Sequence, residues 1–262
     1  KFIKGDIRDE LLLEKIFSEF NIDIVIHLAA KAGVRNSFIE PKEYYSVNVD
    51  GTSNILNIVK RYNTKKFIFA SSSSVYGNCE NEKFSENLKN LKPISPYAQT
   101  KLICEENIKK YSLNNSICLR LFTVYGKRQR PDLAIKKFTQ KILNDEPIEI
   151  YGDGTTYRDY TNIEDIIEGI KKSINYNSTK YEIFNLGSGN AIQLNEMVKM
   201  IENKLQKKAI IKHIPMQCGD VNKTFADTTK AQKLLNWKPK INFQDGLNSF
   251  IDSFIREQNY QK

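Results

Sequence analysis

Short apolar runs alternate along the chain with longer segments whose apolar residues recur at helical spacing. The clearest run, residues 67–70, predicts a buried strand, and the segment before it, residues 44–62, predicts a long helix. The remaining predicted strands cover residues 2–4, 23–28, 117–122 and 181–185. The remaining predicted helices cover residues 11–20, 96–112, 135–144, 164–174, 194–206, 228–235 and 243–255. This alternation predicts an α/β fold with a mostly parallel sheet.

Four serines, Ser71 to Ser74, directly follow the predicted strand at residues 67–70. A predicted helix then begins near Pro96 and carries Tyr97 and Lys101, whose i, i+4 spacing places them on one helix face. A lysine ammonium near a phenol favours the phenolate, so Tyr97 is a candidate general base or acid. A serine at the strand end, Ser72, can hydrogen-bond the same substrate hydroxyl. These groups together predict hydride transfer at an alcohol carbon.

The Tyr-x-x-x-Lys spacing by itself is weak evidence, because it occurs three times in this chain. Tyr62 and Lys66 lie between a helix end and the next strand, and Tyr176 and Lys180 lie in a segment of loop composition. Only Tyr97 follows a strand that ends in serines and begins a helical run. The context therefore favours Tyr97 and Lys101 as the catalytic pair.

The chain resembles the extended short-chain dehydrogenase/reductases, in the branch that acts on sugar nucleotides. Besides the Ser/Tyr/Lys residues, the matching segments are residues 5–9, 27–30, 48–52, 119–126, 157–160 and 184–187. The resemblance implies a Rossmann-like doubly wound parallel sheet with a smaller α/β substrate domain, and NAD as the cofactor. It assigns residues 1–122 and 160–188 to the dinucleotide-binding domain, and residues 123–159 and 189–262 to the substrate domain. A UDP-sugar would bind between them, and a cytoplasmic homodimer is expected.

The resemblance also implies roles for individual residues. Asp6 and Ile7 would flank the adenine, and Leu28, Ala29 and Ala30 would line the adenosine ribose and pyrophosphate. Tyr97 and Lys101 would also hydrogen-bond the nicotinamide ribose. The substrate residues implied are Ser72, Ser73, Ser74, Thr123 and Arg130 for a sugar carboxylate, Arg158 for the UDP phosphates, and Asp220 for the nucleotide ribose or for orienting an arginine. The alternatives are that Arg130 faces solvent, with Arg128 equally near in sequence, and that Arg158 pairs with Asp159 or Asp165.

The residues after the strand-end serine favour one reaction of the branch. Dehydratases of this branch carry one or two acidic residues directly after the active-site Ser/Thr, and decarboxylases usually carry a glutamate in the same stretch. This chain has Ser73 and Ser74 there, so 4-epimerisation is predicted. The segment from Thr123 to Asp132 resembles the UDP-glucuronate 4-epimerases, whereas UDP-glucose 4-epimerases usually have asparagine where Thr123 stands. UDP-glucose or UDP-N-acetylhexosamine 4-epimerase and UDP-glucuronate decarboxylase remain the enzyme alternatives.

Composition narrows the remaining classes of function. The 262 residues carry a net charge of +9, but the lysines are spread over many helix faces, so nucleic-acid binding is not expected. A positive field would also attract a substrate that carries two phosphates. Two histidines and four scattered cysteines give no support for a metal site, and fit free thiols in a reducing compartment. No apolar run is long enough to cross a membrane. An inactive binding module on the same scaffold is the alternative outside enzymes.

The family's N-terminal Gly-x-x-Gly-x-x-Gly turn, which holds the dinucleotide pyrophosphate, has no counterpart in this sequence. Residues 2–4 resemble the family's third strand. We therefore expect an N-terminally truncated fragment, in which the strand at residues 2–4 stands two strands away from residues 23–28. Such a chain is expected to bind NAD poorly.

In the segment from Pro215 to Val221, which also resembles the glucuronate branch, Cys218 stands where proline is usual.

Overall fold

The computed structural model describes residues 1–113, 115–177, 181–217 and 219–260. Lys180 and Cys218 lie outside the described residues. The helices are α1 (Glu10–Glu19), α2 (Val34–Ile39), α3 (Pro41–Tyr45), α4 (Gly51–Arg61), α5 (Pro96–Tyr111), α6 (Ala134–Leu143), α7 (Ile163–Asn175), α8 (Leu194–Leu205), α9 (Thr229–Leu235) and α10 (Phe243–Tyr260). The strands are β1 (Ile24–His27), β2 (Lys66–Ser72), β3 (Ser116–Leu121), β4 (Thr123–Tyr125), β5 (Ile148–Tyr151), β6 (Tyr157–Asn162), β7 (Tyr181–Leu186), β8 (Ala191–Gln193) and β9 (Ile211–Ile214). The predicted α/β class is confirmed.

The chain forms two compact units. The first unit comprises Lys1–Glu80, Glu86–Leu121 and Ile170–Asn185, and the second comprises Asn81–Ser85, Phe122–Gly169 and Leu186–Lys262. The boundary between the units that follows β3 lies between Leu121 and Phe122, one residue before the boundary predicted after residue 122. Residues 81–85, 160–169 and 186–188, which were predicted to belong to the dinucleotide-binding domain, group with the second unit.

The first unit is built on a four-stranded sheet in the order β1-β2-β3-β7. Strands β1, β2 and β3 are parallel, with Val25 opposite Phe67 and Phe69 opposite Cys118. Residues on both faces of β2 are buried, which is why this strand is a nearly continuous apolar run. Its core cluster joins Phe67 and Phe69 with apolar side chains of α1, α4 and α5.

The long helix predicted at residues 44–62 is present in three consecutive helical pieces. A π-helical turn, Ser46–Asp50, lies between α3 and α4, and the connecting residues keep right-handed helical dihedral angles. Such a turn inserts an extra residue into the helix and is frequent at functional sites. The sequence predicted one continuous helix, because apolar spacing does not distinguish a five-residue π-helical turn from the α-helix on either side.

Residues 2–4 do not form the strand that the sequence predicts. Phe2 is 89% exposed, and no described segment forms a ladder with residues 2–4. A strand requires a neighbour that satisfies its backbone N–H and C=O groups, and an apolar pattern alone cannot supply one. The prediction of a strand at residues 2–4 is therefore wrong.

The second unit contains short strands that the sequence pattern did not reveal. Strand β4 pairs in parallel with β6, β6 pairs antiparallel with β8, and β5 pairs in parallel with β9. These strands have three to six residues each, too few for a distinctive alternation of apolar and polar positions. Their core packs against α6, α8 and α10, with Ile135, Ile150, Met197 and Leu247 fully buried.

Two leucines on helices of the first unit provide a test of this packing. Leu56 of α4 is 0% exposed, whereas Leu11 of α1 is 85% exposed. We expect Leu56→Ala to lower the free energy of unfolding by about 2–5 kcal/mol, because it leaves a cavity in the core. Leu11→Ala should change it by less than about 0.5 kcal/mol. Equal losses in urea denaturation would contradict the assigned core.

Candidate active site

Of the four predicted serines, Ser71 and Ser72 end β2, and Ser73 and Ser74 begin a tight turn at its carboxyl end. Strand β2 ends at Ser72, and a 3-10 turn, Ser73–Tyr76, follows directly. The Ser72 hydroxyl accepts a hydrogen bond from the Ser74 backbone N–H at 3.2 Å and lies 3.1 Å from the Ser74 hydroxyl. Gly77 closes the turn with φ +60°, where an added Cβ would lie 2.0 Å from the Lys92 carbonyl oxygen. The backbone here therefore requires glycine.

Helix α5 brings the predicted tyrosine and lysine to the same region of the first unit. Its N-cap is Ser95, whose hydroxyl accepts from the Ala98 N–H, and Pro96 occupies the first turn. The Lys101 ammonium donates to the Ala70 carbonyl oxygen at 2.7 Å and lies 4.6 Å from the centroid of the Phe69 ring. Lys101 is thereby fixed to the strand that ends in Ser72.

The charge on Lys101 is held in the interior of the first unit. Its side chain is buried, and burial lowers its pKa to about 8, with the neighbouring Cys104, Cys118 and Glu105 acting in the opposite direction. Burial, together with the charge of Lys101, lowers the pKa of His27 to about 3. His27 is therefore neutral, and its Nε2 lies 2.9 Å from the Thr52 hydroxyl. This agrees with the structural role expected for a buried histidine.

Tyr97 is half-buried in the first turn of α5, where its ring meets Tyr44 edge-on at a centroid distance of 6.3 Å. Tyr44 is 1% exposed, and its hydroxyl donates to the carbonyl oxygens of Ala32 and Gly33. Tyr44 is not among the site residues predicted from the sequence. Its helical spacing marks it only as a core residue, and the contact with Tyr97 is long-range.

Asn48 is a second residue near the site that was not predicted from the sequence. It lies in the π-helical turn, and its side chain accepts from the Lys31 N–H at 2.8 Å and donates to the Lys31 carbonyl oxygen. Its amide nitrogen lies 3.0 Å from the Thr100 hydroxyl of α5. Asn48 thus joins the loop after β1 to the helix of Tyr97. A buried polar residue within an amphipathic helix is the signal that could have found it.

Three described residues of the other two Tyr-x-x-x-Lys pairs make contacts of their own. The Tyr62 hydroxyl donates to Glu14, and the Lys66 ammonium donates to the carbonyl oxygens of Ile174 and Tyr176 at the end of α7. The Tyr176 ring packs edge-on against Phe184, and its partner Lys180 lies outside the described residues. Lys66 and Tyr62 are thus engaged in structural contacts.

The residues predicted to bind the cofactor follow β1 or precede α1. Leu28 and Ala29 are exposed directly after β1, at the same edge of the parallel sheet as Ser72, and Ala30 is half-buried. The Asp6 carboxylate accepts from the Arg8 guanidinium and backbone, and these bonds lower its pKa to about 2. Ile7 packs against Gly51 of α4.

In the second unit, Thr123 begins β4 and is paired with Tyr160 of β6. Arg130 lies exposed in the following loop, where its Nε and Nη2 donate to the two carboxylate oxygens of Asp132 at 3.0 and 2.9 Å. This bidentate geometry is the one in which arginine binds a carboxylate. The neighbouring Arg128 is exposed and has φ +62°.

Arg158 lies on β6, and one of its guanidinium nitrogens donates to the Tyr157 carbonyl oxygen. The carboxylates proposed as its alternative partners bind backbone amides. Asp159 accepts from the N–H groups of Ser188, Gly189 and Ala226, and Asp165 from those of Lys240 and Ile241. Asp220 is half-buried after Gly219, in a turn where its N–H donates to the Gln217 carbonyl oxygen.

Among the residues that the structure describes, no group of three or more His, Cys, Asp or Glu side chains is arranged to hold a metal ion. None of the helices described is both long enough and apolar enough to span a membrane.

Comparison with known proteins identifies the family. The model of the GDP-mannose 4,6 dehydratase family matches residues 1–250. The UDP-glucuronate 4-epimerase of Thermodesulfobacterium geofontis is 41% identical over 257 residues, which cover 96% of this chain and 78% of the relative. The chain belongs to this family, the extended short-chain dehydrogenase/reductases.

Solved structures of family members agree with this assignment. The UDP-glucuronic acid 4-epimerase of Bacillus cereus, in complex with UDP-glucuronic acid and NAD, superposes with a TM-score of 0.92 and 35% identity. The alignment covers 98% of this chain and 82% of that one. The UDP-glucose 4-epimerase of Thermotoga maritima, with UDP-glucose, gives a TM-score of 0.93 and 30% identity, covering 98% and 85% of the two chains. The Rossmann-like α/β fold expected from the resemblance is confirmed.

The buried charge of Lys101 leads to a pH test that needs no ligand. Its pKa is about 8 in the folded chain and 10.5 as its ordinary value. Between these values the unfolded chain binds more protons at this residue, so its contribution to stability rises with pH, by up to about 3 kcal/mol. We expect Lys101→Met to lack this rise when unfolding is measured from pH 7 to 11.

The matched control is Lys65→Met, because Lys65 is exposed and paired with Asp23, which raises its pKa. This variant should retain the rise in stability between pH 8 and 10.5. Parallel pH curves for wild type and Lys101→Met would show that Lys101 is not buried in its charged form.

Proposed function

We propose that this protein is an NAD-dependent 4-epimerase that interconverts UDP-glucuronate and UDP-galacturonate. The observation that carries the proposal is the bond from Lys101 to the Ala70 carbonyl, which fixes the Tyr97 helix to the strand ending in Ser72. Two further features support it. Ser73 and Ser74 stand where related dehydratases carry acidic residues, and relatives that act on or bind UDP-glucuronate are similar over nearly the whole chain.

In the proposed reaction, Tyr97 takes the proton from the sugar 4-hydroxyl and later returns it to the same oxygen on the opposite face. Ser72 donates a hydrogen bond to that oxygen and so orients the C4–O bond. Lys101, charged below a pH of about 8, favours the phenolate of Tyr97. The 4-keto sugar must turn over in the site before it is reduced, so Ser73 and Ser74 serve as neutral hydrogen-bonding groups rather than as acids.

NAD, when bound, supplies the oxidation and the subsequent reduction at C4. The residues fit this cofactor: Leu28, Ala29 and Ala30 lie at the carboxyl edge of a parallel sheet, where dinucleotides bind, and two of the three are alanines that permit close approach. Tyr97 and Lys101 would hold the nicotinamide ribose, and Ile7 would contact the adenine. Asp6 would also flank the adenine, either through its own carboxylate or through Arg8, which that carboxylate holds.

A carboxylate on the sugar gives Thr123 and Arg130 their proposed roles. Arg130 already forms a bidentate pair with Asp132, and both side chains of that pair are substantially exposed. Exposed pairs contribute little to stability, so a substrate carboxylate can replace Asp132 at small cost. A 4-keto glucuronate is a β-keto acid that tends to lose CO₂, and a carboxylate held by Arg130 and Thr123 would be protected from this side reaction. Arg158 and Asp220 would bind the UDP moiety.

UDP-glucose is the alternative substrate, supported by the similarity to the Thermotoga maritima enzyme.

We further propose a homodimer in the cytoplasm. The buried free thiols of Cys104 and Cys118 fit a reducing compartment. Sedimentation of the purified chain tests the dimer.

The substrate assignment predicts a clear preference. The protein should interconvert UDP-glucuronate and UDP-galacturonate, with UDP-glucose a much poorer substrate, as measured by chromatography of the products. Arg130→Met should lower kcat/KM for UDP-glucuronate about 10- to 100-fold, because a charged hydrogen bond is lost, and should leave that for UDP-glucose nearly unchanged.

Arg128→Met is the matched control, since Arg128 is also exposed and lies two residues away. It should behave like the wild type with both substrates. A preference for UDP-glucose, or equal effects of the two arginine substitutions, would contradict the role of Arg130.

The proton-transfer role predicts a large effect at one tyrosine. Tyr97→Phe should lower kcat by roughly 10²–10⁴, the range for loss of a general acid–base group. Tyr62→Phe and Tyr176→Phe should have near-normal kcat, because Tyr62 contacts Glu14 and Tyr176 packs on Phe184. If the three variants were equally active, Tyr97 would not be the catalytic tyrosine.

A further inference from the structure

A buried ion pair joins helix α5 to strand β3 in the first unit. Glu105 accepts from Arg120 Nε at 3.0 Å and from Nη2 at 2.7 Å, a bidentate arrangement, and the two side chains are only 3% and 4% exposed. Burial opposes the charge on Arg120, but the hydrogen bonds and charge of Glu105 raise its pKa above the ordinary value. Arg120 is therefore always charged.

Glu105 also contacts the strand that carries the serines. It lies four residues after Lys101, on the same face of α5. Its Oε1 accepts from the Ser71 hydroxyl at 2.5 Å, and Ser71 directly precedes Ser72. Because Lys101 binds the Ala70 carbonyl, α5 is joined to two consecutive residues of β2.

Arg120 contacts the serine turn from the neighbouring strand. In the parallel register it lies opposite Ser71, and its guanidinium lies 4.8 Å from the centroid of the Tyr76 ring. Tyr76 is the last residue of the 3-10 turn that carries Ser73 and Ser74. Its hydroxyl donates to the Asn185 side chain at 2.8 Å, which fixes the ring.

We propose that Glu105 and Arg120 are positioning residues that hold Tyr97 and Lys101 in alignment with the serine turn. The proposal rests on the proposed function for its effect on turnover. A buried ion pair contributes little net stability compared with apolar residues of similar size, so stability alone does not account for this one. Its contacts reach α5, β2 and the serine turn, and small misplacements of catalytic groups are costly to the rate.

The test replaces the pair with apolar residues of similar volume, Glu105→Leu together with Arg120→Met. This double variant should unfold cooperatively, and its kcat should fall about 100-fold, while KM for the UDP-sugar changes less than about threefold. Tyr181→Phe is the matched control: it removes a hydrogen bond to the backbone carbonyl of Glu105 and leaves the carboxylate untouched. Its kcat should be near that of the wild type.

A folded double variant with wild-type kcat overturns the proposal. If the double variant does not fold, Glu105→Gln and Arg120→Lys, which keep the side-chain volumes, are measured instead. Unchanged kcat in both of these variants overturns it equally. A lowered kcat in Glu105→Gln, with KM for the UDP-sugar nearly unchanged, supports it.

A second measurement separates this proposal from the proposed function. The Lys101 side chain is titrated by ¹³C NMR without ligand; the groups that face it are Cys104 and Glu105 of α5, Cys118 of β3 and His27 of β1. In Glu105→Gln the pKa of Lys101 should fall below about 8, because a neighbouring negative charge is removed. An unchanged titration overturns the coupling of Glu105 to Lys101. A shifted titration in a protein inactive on every UDP-sugar refutes only the proposed function.

Discussion

The candidate site depends on one charge inside the first unit, the ammonium of Lys101. Lys101 is only 4% exposed, and a charge so placed must find polar partners. The Ala70 carbonyl supplies one at 2.7 Å, and the face of the Phe69 ring lies beside it. Both partners belong to β2, so the requirement to solvate this charge also fixes α5 against the strand that ends in Ser72. The position of Tyr97, one turn earlier on α5, follows from the same contact.

The buried groups around Lys101 partly offset the effect of burial on its pKa. Burial favours the neutral amine, and Cys104, Cys118 and, to a smaller extent, Glu105 oppose that effect. Glu105 is in turn held by Arg120 and Ser71. The carboxylate therefore serves two purposes, since it supports the ammonium electrostatically and attaches α5 to β2. His27 stays neutral beside them, so it adds no competing positive charge.

The parts of this arrangement that the sequence predicted are local ones. The serines after an apolar run and the i, i+4 pair on α5 can be identified within short segments, and the family resemblance arranged them in one site. The strand at residues 2–4 was wrong because pairing depends on a distant partner. Tyr44, Asn48 and Arg120 were missed for the same reason, since their contacts with Tyr97, Thr100 and Glu105 join residues 15 to 53 positions apart.

Arg130 shows how a nearby residue changes the interpretation of a sequence motif. The motif predicted an arginine that binds a carboxylate, and the structure finds it bound to a carboxylate two residues away in its own loop. Asp132 shields the guanidinium, so a neutral sugar hydroxyl gains little by displacing it. A substrate carboxylate matches both the charge and the bidentate geometry of the bond it replaces. In the proposed function, this exchange would discriminate between acidic and neutral sugars, because only the acidic one would restore the interaction that Arg130 gives up.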